Sequence, residues 1–119
     1  IVATGHLVWE ALEAAKTLKE QGISAEVLNI HTIKPLDDDA ILSSVAKTGC
    51  LVSAEEHNFL GGLGESVARV LALHHPVPQE FVATNDTFGE SGTPEQLMEK
   101  YGLNAASIEA KAKQVVNRK

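Results

Sequence analysis

Short apolar runs alternate with helix-like stretches along nearly the whole chain, and this alternation limits the fold more than any other feature. The strand-like runs are Ile1–Thr4, Ala25–Ile30, Cys50–Ala54 and Phe81–Ala83. From Leu7 to Gln21, Val8, Ala11, Leu12, Ala15 and Leu18 recur at helical spacing, with Glu10, Glu13, Lys16, Lys19 and Glu20 on the other face. Gly22 stands where a helix C-cap glycine is expected. Asp37, Asp38 and Asp39 open a second helix with a stripe of Ile41, Leu42 and Val45, and Gly49 ends it. A third helix follows the glycine-rich loop of residues 55–64 and runs to about Leu73. Thr93-Pro94-Glu95-Gln96 has the signature of a helix start and leads to a stop near Tyr101-Gly102. Asn104 caps a last helix from Ala105 to about Val116. Strands alternating with helices in this order predict an α/β sandwich around a largely parallel sheet.

Composition narrows the partners. The chain has 119 residues, enough for one domain. Its 16 acidic residues against 10 basic ones leave a net charge of -6, and the basic residues do not cluster. Nucleic acid and anionic membranes are therefore poor partners, since each requires a basic patch. No apolar run approaches the roughly 18 residues that span a bilayer. The one cysteine, Cys50, cannot form an internal disulfide, which fits a reducing cytoplasmic setting, and its place at the head of an apolar run predicts a buried, inert thiol. Because Ile1–Thr4 already reads as a core strand, the sequence is expected to be the C-terminal part of a longer one.

In folds of this kind ligands bind beyond the carboxyl ends of the strands, where the strand order switches. Those ends read Gly5-His6, His31-Thr32, Glu55-Glu56-His57 and Asn85-Asp86. The first and third define a candidate crevice for a ligand or an interface: Gly5, His6, Glu55, Glu56, His57, Gly61 and Gly62. Glycines at a helix start are one way to cradle phosphate. Here, however, the spacing Gly61-Gly62-Leu63-Gly64 matches neither a dinucleotide fingerprint nor a P-loop, and Glu55, Glu56 and Glu65 oppose an anion. Close packing of helix on strand is the plainer use of these glycines. Adjacent carboxylates in an extended segment point to opposite faces, so at most one of Glu55 and Glu56 faces any given pocket. The five histidines, His6, His31, His57, His74 and His75, lack the i, i+4 spacing of a zinc motif. Phe88-Gly89-Glu90-Ser91-Gly92 reads as a turn and not as a nucleophile elbow.

Several stretches, in order, resemble the C-terminal domain of transketolases: Ala3-Thr-Gly, Glu10-Ala-Leu-Glu-Ala-Ala, Val27-Leu-Asn-Ile, Thr32-Ile-Lys-Pro-Leu-Asp, Val52-Ser-Ala-Glu-Glu-His-Asn, Gly61-Gly-Leu-Gly-Glu-Ser-Val-Ala, Phe88-Gly-Glu-Ser-Gly and Leu97-Met-Glu-Lys-Tyr-Gly-Leu. Thr-Ile-Lys-Pro-Leu-Asp and Glu-Glu-His-x₃-Gly-Gly-Leu-Gly-Glu are the most specific of these. Sister families, deoxyxylulose-phosphate synthase and the β subunits of 2-oxoacid dehydrogenases, share the domain. The histidine after Glu55-Glu56 and the Phe-Gly-Glu-Ser-Gly turn look more like transketolase.

The resemblance implies a three-layer α/β/α sandwich on a mixed, mostly parallel sheet, with an antiparallel edge strand that precedes the residue equivalent to Ile1. Without that strand, the edge beside Ala25–Ile30 is expected to stand open. It also implies a parent enzyme that moves a two-carbon ketol unit between sugar phosphates, chemistry of the pentose phosphate pathway, using thiamine diphosphate and Mg²⁺ or Ca²⁺. In the family the cofactor motif belongs to the N-terminal domain and the activating glutamate to the middle domain. No Gly-Asp-Gly occurs here, so no catalytic, cofactor or metal residue carries over to this sequence. The implied partners are the N-terminal and middle domains, in cis or as a split subunit, within a homodimer. Two other classes are weighed beside this: a regulatory small-molecule module using the crevice, and a receiver-type signalling module. The latter lacks the acidic pair and the phosphoacceptor aspartate that it needs.

Overall fold

A computed structural model describes residues 1–30, 36–58, 62–84 and 104–119, the side chains of 56–58 and 84 excepted. Within them the order is β1 (Val2–Ala3), α1 (Leu7–Glu20), β2 (Leu28–Asn29), α2 (Asp38–Thr48), β3 (Leu51–Asn58), α3 (Leu63–His74), β4 (Gln79–Thr84) and α4 (Ala105–Asn117). The readings made for His31-Thr32, the first four residues of the Thr32-Ile-Lys-Pro-Leu-Asp motif, Asn85-Asp86, the Phe88–Gly92 turn and the helix after Thr93 lie outside the described residues.

The helix ends follow local chemistry. The Asp37 carboxylate accepts from the Ala40 amide at 3.1 Å, and Gly49 closes α2 in the left-handed region at φ 78°. At the end of α1 the Gly22 N–H donates to the Lys19 carbonyl and the Ile23 N–H to the Leu18 carbonyl, the paired bonds of a Schellman motif. Gly22 itself has φ 84°, which a side chain would strain. At α4, Asn104 Oδ1 accepts from the Ser107 amide at 2.9 Å, and Glu10 of α1 accepts from the Ala105 amide at 3.1 Å. One helix thereby helps cap another.

The sheet order is β2-β1-β3-β4, and every described pairing is parallel. β2 stands at one edge, and no antiparallel strand occurs among the described residues. Alternate strand residues face two apolar layers. Ala3, Val52, Ala54 and Val82 pack with Leu7, Ala11, Leu18, Ile108 and Val115 of α1 and α4. Val2 and Leu51 pack with Ile41, Val45, Leu63, Val67 and Leu71 of α2 and α3. The result is helices, sheet, helices, in three layers.

Three expectations need correction. The buried stripe of α1 is Leu7, Ala11, Ala14 and Leu18, and Leu12 is half exposed. Apolar residues cover more than half of this helix's circumference, so more than one stripe is open to it, and the one that meets both the sheet and α4 wins. In α2 the buried set is Ile41, Ser44 and Val45, with Leu42 only partly covered. Cys50 is a free thiol that is partly rather than fully buried, since it lies one residue before β3 enters the core.

Candidate functional site

β3 determines what the crevice can be. It does not stop at Ala54 but runs to Asn58, so Glu55-Glu56-His57 lies inside the strand and not at its end. The register explains the misreading: Ala54 pairs with Val82, yet Asn58 pairs with Thr84, so β3 uses more residues than β4 over this stretch. Side-chain alternation then sends Ser53 and Glu55 to the α2/α3 layer, while Val52 and Ala54 face α1 and α4.

Glu55 is 1% exposed, a rare fate for a carboxylate that is not paired. Its partners are backbone donors. Oε1 accepts from the Leu63 amide at 2.8 Å and Oε2 from the Gly64 amide at 2.6 Å. These are among the first N–H groups of α3, which have no partner within the helix, and the helix dipole favours a negative charge there. A side chain from the preceding strand thus occupies the place that an anion takes at such a helix start. Gly62 caps this helix without a side chain of its own.

Gly64 brings α3 against the sheet. A Cβ at this position would lie 2.5 Å from Phe81 Cδ2 and 2.8 Å from Ser53 Oγ, so only glycine permits the approach. Gln79 of β4 ties the contact, donating from Nε2 to the Gly64 carbonyl at 3.0 Å and to Ser53 Oγ at 3.1 Å.

The other described members of the candidate set fall in two places. Gly5, at φ 59°, and His6 form the exposed turn between β1 and α1, and His6 opens the helix on the layer opposite to α3. Gly62 is buried beside the Glu55 clamp. The side chains of Glu56 and His57, and all of Gly61, lie outside the described residues. β1 and β3 are neighbours, with Ala3 beside Ala54, so the switch in strand order does fall between Gly5 and Glu55. The Glu55 carboxylate, however, is turned onto α3.

A diphosphate does not fit these residues. The one described glycine-rich helix start already holds a carboxylate, and Glu65 in its first turn adds a second negative charge. Among the described residues no group of three or more His, Cys, Asp or Glu is placed to hold a metal ion. No helix among them is long and apolar enough to cross a membrane. What sequence reasoning missed was the Glu55–α3 clamp and the Gln79 tie. The signal available was a carboxylate sharing strand parity with Ser53, eight residues ahead of a glycine-flanked helix start.

The polar groups outside this region hold elements together. Lys47 lies 2.8 Å from Glu26 and, by hydrogen bonding to it, holds that carboxyl below its ordinary value. Lys113 and Gln21 do the same to Glu109, joining α4 to the end of α1. Arg118 and Lys111 both pair with Glu80 of β4.

Comparison with known proteins agrees with this architecture. The family model for the transketolase C-terminal domain matches residues 1–108. The 6-deoxy-6-sulfo-D-fructose transketolase subunit of Clostridium sp. (strain MSTE9) is 50% identical over all of this chain, which covers 37% of that protein. A 1-deoxy-D-xylulose-5-phosphate synthase of Geobacter sulfurreducens is 42% identical over 92% of this chain, which covers 18% of it. Among solved structures, a split-gene transketolase in an inactive β4 tetramer superposes with a TM-score of 0.93 at 45% identity. That match covers 98% of this chain and 38% of the other. The chain therefore spans well under half the length of these relatives. With the family model matched over most of its residues and the fold in agreement, the chain belongs to the transketolase C-terminal domain family.

Proposed function

We propose that this chain is the assembly domain of a transketolase-type enzyme, working with N-terminal and middle sections that bind thiamine diphosphate and its divalent metal. The parent reaction is transfer of a two-carbon ketol unit from a ketose phosphate to an aldose phosphate. The observation that carries this reading is the Glu55 clamp. The glycine-flanked start of α3 is already filled from within by this carboxylate, while the relatives compared above are substantially longer. The 119 residues act as one domain, inactive by itself, within a cytoplasmic homodimer. The relatives named as transketolases widen the substrate class beyond pentose phosphates, since one of them is a subunit for a sulfo-sugar. The exposed turn at Gly5 and His6, together with Glu56, His57, Gly61 and Gly62, is the region we assign to meeting the catalytic sections or a ligand.

The test is reconstitution. Mixed with the N-terminal and middle sections, the chain is expected to support thiamine-dependent ketol transfer, and each component alone is expected to be silent. Turnover by this chain alone, or no product from the full mixture, would sink the proposal.

A second reading rests on the Geobacter sulfurreducens relative: the parent is a deoxyxylulose-phosphate synthase. The same mixture distinguishes the two. Formation of 1-deoxy-D-xylulose 5-phosphate by the mixture would favour that reading over ketol transfer between sugar phosphates.

A further inference from the structure

We draw no further inference here: the strongest candidate, the exposed Trp9 and Leu12 on the outer face of α1, carries nothing because no observation among the described residues shows what covers that face.

Discussion

Glu55 Oε2 lies 2.6 Å from the Gly64 amide nitrogen, and the same carboxylate holds the Leu63 amide through its other oxygen. One buried side chain of the sheet thereby closes the start of α3.

Replacing Glu55 with Gln turns one acceptor into a donor that faces an amide N–H. The expected loss is about 2–3 kcal/mol, the scale of a charged hydrogen bond broken in a buried setting. Urea denaturation followed by circular dichroism measures it. A midpoint unchanged within error would show that the clamp contributes nothing.

Gly64→Ala is expected to cost about 1–3 kcal/mol, because the added methyl overlaps the Phe81 ring and Ser53 Oγ. Phe81 is partly exposed, so trimming it to Leu should return part of the loss. A double-mutant cycle tests this, and simple additivity would argue against the steric account.

Asn104→Ala and Glu10→Ala each remove an acceptor from the first turn of α4. Each is expected to lower stability by about 1 kcal/mol, the typical worth of a helix cap. Amide exchange should quicken first at Ala105 and Ser107. Equal quickening throughout the protein would instead indicate global unfolding.

Glu26 and Glu109 both titrate below the ordinary value of 4.5, through hydrogen bonds first of all from Lys47 and Lys113 respectively. Since the folded-state values are depressed, their stabilising effect is present above 4.5 and fades as pH falls through the folded-state values. Lys47→Met should move the Glu26 carboxyl up toward 4.5 and leave Glu109 where it is, as read by carboxyl NMR. No movement of Glu26 would remove Lys47 as the cause. Both pairs lie at the surface with their lysines exposed, so added salt should weaken the effect.

What the sequence made legible was mostly local. Asp37, Gly22, Gly49 and Asn104 work within one turn of chain, and a residue type that favours a cap or a left-handed bend does so wherever the helix packs. Parallel order was legible too, since strands separated by helices have few other ways to share a sheet. The buried side of α1 was not: Val8, Ala11, Leu12, Ala14 and Ala15 satisfy more than one stripe, and α4, far away in the chain, decides between them. Glu55 was obscured for a related reason. Ordinary burial preferences push a glutamate to the surface, and only its bonds to two backbone amides eight and nine residues later reverse that. The candidate crevice, inferred from strand ends, inherited the same error about where β3 stops.

The Glu55 clamp also bears on modularity. A helix whose positive end is neutralised by its own polypeptide needs no neighbouring protein to supply that countercharge. A gene boundary drawn ahead of this sheet would leave the electrostatics of that helix as they are.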